Sequence, residues 1–209
     1  MATFLDRKAL KQILETAEAI RKVAGRAEED AGAVYLVRGP KKSKTLLPLK
    51  ALHSAAVAAF GGRIGRETQD ELVAVFPAPA AALRAALHAL HACDLAREFL
   101  DVADGRVAIV HGAVTALDGP YCDAHGPAVD RAAKIIGRAE LGAAVLEDAL
   151  YARVRPSIDG HADIEVAQPK RGRIPGLGVV TTVAIKPLGL KPDREREWHD
   201  VDAELRAKR

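Results

Sequence analysis

The chain has 209 residues, enough for one domain with a helix appended at each end. Hydrophobic residues make up 49% and charged residues 28%, the balance of a soluble globular protein and not of a disordered or fibrous one. A net charge of +3 is too small to argue for nucleic acid, and two cysteines, Cys93 and Cys122, make neither a disulfide framework nor a metal-ligand spacing.

The opening residues hold no apolar signal-peptide core, and no apolar stretch is long enough to span a bilayer. A cytoplasmic chain without membrane contact is expected. Aromatics are only 4%, so the core is expected to consist of Ala, Leu, Val and Ile.

In chain order, residues 5–30 predict a helix. Leu10, Ala17 and Ala24 repeat every seven residues, as do Ile13, Ile20 and Ala27, a short heptad seam suited either to packing on its own domain or to pairing with a second copy. "AGAVYLVRG" (31–39) predicts a buried strand, and the basic loop "PKKSKTLLPLK" follows. A helix is expected next, stopped by Gly61-Gly62. "GRIGRETQDELVAVF" (62–76) predicts two short strands around a polar turn centred on Gln69-Asp70. A long Ala/Leu helix and the strand "RVAIVHGAVTAL" come after it. "HGPAVDRAAKI" (125–135) begins with Pro127 and repeats apolar residues at helical spacing. "AAVLEDALYARV" predicts a short strand and a short helix. "HADIEVAQ" and "GVVTTVAIKP" predict strands joined by the Pro/Gly turn "PKRGRIPGLG", and a charged tail closes the chain. Adjacent strand pairs argue against strict βαβα winding and for an α+β fold, one mixed sheet flanked by helices.

Three of these segments, in this order, resemble the catalytic domain of class III nucleotidyl cyclases. "GGRIGRETQDELVAVF" resembles the family's strand–turn–strand, whose turn usually reads Lys-x-x-Gly-Asp. "RVAIVHGAV" resembles its next strand, and "YCDAHGPAVDRAAKI" its Gly-x-x-Val-Asn-x-Ala-Ala-Arg helix entry. The resemblance implies a ferredoxin-like, βαββαβ-type cyclase fold over residues 31–188, with residues 1–30 and 189–209 outside it. It also implies a head-to-tail dimer with nucleotide at the interface. There, two Asp would hold two divalent ions for in-line displacement at phosphorus.

The resemblance transfers residue by residue, and not every position is kept. Asp70 matches the second metal carboxylate, with Gln69 in place of the turn's Gly, and Glu67 and Glu71 flank it. The first metal Asp matches Arg38, whose guanidinium would repel a cation. The base-reading Lys matches Arg66, and the base-reading acid matches Asp123. The catalytic Asn matches Asp130, and the transition-state Arg matches Lys134. Asp130 and Lys134 also stand one helical turn apart, which predicts an ion pair worth about 0.3–0.5 kcal/mol.

Lys41, Lys42 and Lys44 lie in a basic stretch, 38–50, that lacks P-loop spacing but suits phosphate contacts. His88 and His91, i and i+3 with Cys93 nearby, lack the further ligands a metal site needs and predict partly exposed side chains on one helix face. The expected function is a degenerate class III adenylate/guanylate cyclase-like domain, catalytically impaired, acting as a dimeric regulatory or interaction module. No cofactor is expected; an active form would use Mg²⁺ or Mn²⁺. The alternatives are an active nucleotidyl cyclase, alone or completed by a partner chain, and a nucleotide or nucleic-acid binding module using the basic loop.

Overall fold

The computed structural model describes residues 30–40, 46–117, 123–159 and 163–188. The N-terminal helix and its heptad seam, Lys41, Lys42, Lys44, Cys122 and the charged tail lie outside the described residues; Asp30 opens the first strand.

Strand β1 (Asp30–Arg38) is apolar on both faces because both faces are covered. Ala33, Tyr35 and Val37 enter one core cluster and Val34 and Leu36 the other, the alternation a pleated strand requires. Helix α1 (Leu46–Ala59) follows, then the hairpin β2 (Arg63–Glu67) and β3 (Glu71–Phe76), and helix α2 (Pro79–Ala96) with proline in its first turn. The long β4 (Arg106–Leu117) and short β5 (Asp123–His125) precede helix α3 (Pro127–Ile135). Then come β6 (Ala144–Glu147), helix α4 (Asp148–Val154), β7 (Ile164–Val166), β8 (Lys170–Ile174) and β9 (Gly178–Pro187).

The strands form one sheet in the order β2-β3-β1-β4-β6-β9-β7, with β5 on β4 and β8 on β9. β4 and β6 are parallel, joined by a crossover through α3, and the other pairs are antiparallel. The sheet is therefore mixed, as expected. One face packs against α1, α2 and α4 through residues such as Val57, Leu83, Leu87 and Leu150. The other packs against α3 through Ala128, Val129, Ala132 and Ile135. Among the described residues no helix is long and apolar enough to cross a membrane.

The C-terminal region differs from the expected pair of strands joined by one turn. Residues 170–174, inside that turn, form the additional strand β8. Its alternating Lys, Arg and Gly residues hide it in the sequence, since an edge strand facing solvent needs no apolar alternation. The tight turn lies at 175–177, with Gly176 at φ +75°.

The last residues of β4 continue past the main sheet, where Thr115–Leu117 pair with β5. This arm folds back over β2. A Cβ at Gly65 would lie 2.4 Å from Ala124 Cβ, so only glycine there lets β5 seat.

Under α1 lies a polar pair that the sequence did not reveal. Tyr35 and His53 are wholly buried, and the Tyr35 hydroxyl is hydrogen-bonded to His53 Nδ1. Burial holds the tyrosine well above its usual pKa, keeping its hydroxyl protonated, and pushes the imidazole down to about 3, keeping it neutral. His53 Nε2 is left without a partner. The helical spacing of Leu49, His53 and Val57 was the available signal, because it places His53 on the apolar face of α1. Cys93 is buried nearby, its thiol raised to about 11 by desolvation first and by Asp94 and Asp104, against the pull of Arg97.

Candidate functional site

Most of the residues singled out in the sequence fall into two clusters, one at the β2–β3 turn and one along α3. The first is built where β1 ends beside the β2–β3 turn. Arg38 is registered opposite Glu71, and both project to the same side. Arg38 Nε donates to Glu71 Oε1 at 2.6 Å, and a terminal guanidinium nitrogen contacts the same oxygen. Arg66 approaches the other carboxylate oxygen at 3.9 Å, and its Nε is buried without a partner.

The turn closes without glycine at position 69. Thr68 N–H donates to Glu71 O at 2.9 Å, and Glu71 N–H donates to Thr68 Oγ1 at 3.2 Å. Thr68 Oγ1 also lies 3.3 Å from Asp70 Oδ1, and Gly39 N–H donates to Asp70 O at 3.1 Å. Lys50, shared by the basic stretch and the predicted helix, lies in α1. It clamps the turn through Glu67 at 2.6 Å and the Thr68 carbonyl at 3.0 Å.

Each of the three carboxylates around the turn is thus engaged separately: Glu67 by Lys50, Asp70 by Thr68, Glu71 by two arginines. Among the described residues no group of three His, Cys, Asp or Glu could hold a metal ion. The residues present do not fit a pair of divalent cations, because a fixed guanidinium stands within the carboxylate cluster. The histidines add no ligand set. His88 lies exposed against Phe60, His91 is half-buried, and Cys93 points into the core.

The second cluster lies along α3. A groove of about 360 Å³ runs between β4 and α3, lined by His111, Gly112, Asp130, Arg131, Lys134 and Leu177 among others. The expected Asp130–Lys134 ion pair does not form. Lys134 Nζ reaches 3.5 Å from the Gly176 carbonyl in the β8–β9 turn, and Asp130 is exposed without a charged partner among the described residues. The tertiary contact outcompetes the i, i+4 pair because an exposed helical pair contributes so little. Arg131 is paired with Glu147 at 2.6 Å. Asp123 opens β5 in register with Leu117.

The two clusters do not meet within one chain. Arg38 is registered with Arg106, whereas Gly112, six residues further along β4, lines the groove of α3. That separation is roughly 20 Å of strand.

The architecture matches solved structures. It is similar to an adenylate/guanylate cyclase/hydrolase from Silicibacter pomeroyi, at 21% identity and a TM-score of 0.62 over 76% of this chain and 97% of that one. It is also similar to adenylate cyclases from Trypanosoma brucei, at 12% identity and a TM-score of 0.61 over 79% and 93%. The guanylate cyclase domain of RhGC from Catenaria anguillulae, solved with GTP, matches at 19% identity and 0.57 over 77% and 98%. The fold is that of a class III nucleotidyl cyclase catalytic domain. No family model and no curated protein matches the sequence, so the cyclase fold is carried by the backbone far more than by the side chains.

Proposed function

We propose that this chain is a degenerate class III cyclase-like domain, impaired in catalysis, that acts as a dimeric regulatory or interaction module in signalling. The observation that carries the proposal is the Arg38–Glu71 ion pair beside the β2–β3 turn. Cyclase chemistry at this end of the sheet depends on two carboxylates holding two cations. Here Arg38 takes the first position and is neutralised by Glu71, which leaves Asp70 as the one matching acid. Groups that act as a unit fail as a unit, so the loss of one metal carboxylate removes far more than half of the activity.

Arg66 and Asp123 stand at the base-reading positions, and Asp130 and Lys134 at the positions that would orient ribose and stabilise the transition state. Asp130 would set an anion against a polyanionic substrate, and Lys134 lacks the fork that matches phosphate oxygens. The roughly 20 Å between the clusters supports an assembly in which one chain's turn faces its partner's α3.

The purified chain, given ATP or GTP with Mg²⁺ or Mn²⁺, is expected to form no cyclic nucleotide above the protein-free blank. Robust turnover that disappears in Asp70→Ala would overturn the proposal. Sedimentation velocity at micromolar concentration is expected to show a dimer, and a monomer throughout the range would remove the assembly from it.

A further inference from the structure

Four large apolar side chains stand exposed where α1 begins and α2 ends. Phe99 is 83% exposed, Leu47 73%, Leu100 55% and Leu95 38%. Each lies a few residues from a member of one satellite core, in which Leu46 and Leu49 of α1 meet Cys93 of α2 and Val102 and Ala103 beyond it. Single exposed leucines are ordinary, but several gathered at one satellite core mark a contact surface. Its rim is acidic. Asp94 and Asp104 share Arg97, while Glu98 and Asp101 have no cationic partner among the described residues. The C-terminal segment leaves the sheet at this same end. Val107 of β4, Ala144 of β6 and Ile185 of β9 form one row across the sheet, about 10 Å wide. The chain enters that row from Val102 and Ala103 and leaves it through Pro187 and Leu188. Residues 1–29 join the opposite end, because Asp30 is in register with Val114 and Arg38 with Arg106.

Residues 189–209 lie outside the described residues, but their sequence carries a pattern. Arg194, Trp198, Val201, Leu205 and Lys208 recur at i, i+4, i+7, i+11 and i+14, one stripe of a helical repeat. Asp193, Glu197, Asp200 and Glu204 are each offset from it by one residue, about 100° round a helix. The stripe is apolar in its middle and basic at its ends. That is the complement of an apolar patch with an acidic rim. We propose that residues 194–208 dock as an amphipathic helix on the patch of Leu47, Leu95, Phe99 and Leu100 of the same chain. Trp198 is the main anchor, with Arg194 and Lys208 set against Glu98 and Asp101. Residues 189–197 reach about 30 Å when extended, enough to cross from β9 to the end of α2. A tether that short holds the segment at roughly millimolar effective concentration, so weak anchors suffice. The proposal is independent of what the β2–β3 turn binds.

Trp198 is the chain's one tryptophan, so its fluorescence reports docking without a label. In the full chain its emission is expected to lie to the blue of a synthetic 189–209 peptide, with acrylamide quenching reduced severalfold. Phe99→Asp and Leu47→Asp, on different elements and both at exposed positions, are each expected to return emission and quenching toward the peptide's values while circular dichroism stays native. Joint Glu98→Lys and Asp101→Lys substitution is expected to give intermediate quenching. Val179→Asp, also exposed but at the far end of β9, is expected to change nothing. A peptide-like Trp198 in the full chain overturns the proposal, as does protection that both patch variants leave intact. Protection that fades on dilution also overturns it, because a second copy would then supply the segment.

Discussion

Acid is expected to unfold this domain largely through one residue, His53. Its imidazole titrates near 6.5 when unfolded and at about 3 when buried, so the unfolded chain binds the extra proton first. The sign follows directly. The contribution of neutral His53 is fully present above pH 6.5, falls as pH drops below that value, and is exhausted near pH 3. At about 1.4 kcal/mol per unit, the loss reaches up to about 5 kcal/mol, comparable with the whole stability of many domains. Urea unfolding at pH 8, 6 and 4 measures it. His53→Leu is expected to flatten this limb while lowering stability at pH 8 by about 1–3 kcal/mol, since Tyr35 then keeps a buried hydroxyl without a partner. Combining His53→Leu with Tyr35→Phe removes both partners and is expected to restore most of that loss. A single variant with the same pH slope as the unsubstituted chain would place the acid sensitivity elsewhere.

The second large effect is a gain. Arg38→Asp replaces the cation paired with Glu71 by a carboxylate, the fourth around the turn. At an effective dielectric constant of about 20, one charge at 4 Å from a cation is worth about 4 kcal/mol, and this substitution both removes a repulsion and adds an attraction. Even heavily discounted for solvent, Mn²⁺ binding is expected to tighten at least about a hundredfold. Without metal the variant is expected to melt lower than the unsubstituted chain, because four carboxylates then crowd one turn, and Mn²⁺ is expected to recover the loss. A variant that melts lower and still ignores Mn²⁺ would show that the turn holds its acids too far apart to be a metal site in disguise.

The element pattern was legible where side chains alternate against a core. The bounds of β4 and the β2–β3 hairpin follow from alternating apolar residues and a polar turn, and α3 follows from Pro127 and its apolar repeat. Strand β8 was not legible, because its side chains other than Ile174 lie at or near the surface and only its pairing with β9 makes it a strand. The site was legible as positions and not as partners. Arg38 and Glu71 were each noticeable, but their ion pair depends on the β1–β3 register, which no local pattern encodes. Lys134 shows the converse: its neighbour in sequence suggested Asp130, and the fold supplied the Gly176 carbonyl instead.

In the function proposed, an arginine ion pair occupies the place where class III cyclase domains hold metal carboxylates. Mn²⁺ titration of the unsubstituted chain, followed by electron paramagnetic resonance of the free ion, tests it most directly. No depletion of free Mn²⁺ at stoichiometric, micromolar concentrations is the predicted result. Tight uptake of one or two ions per chain, abolished by Asp70→Ala, would contradict it.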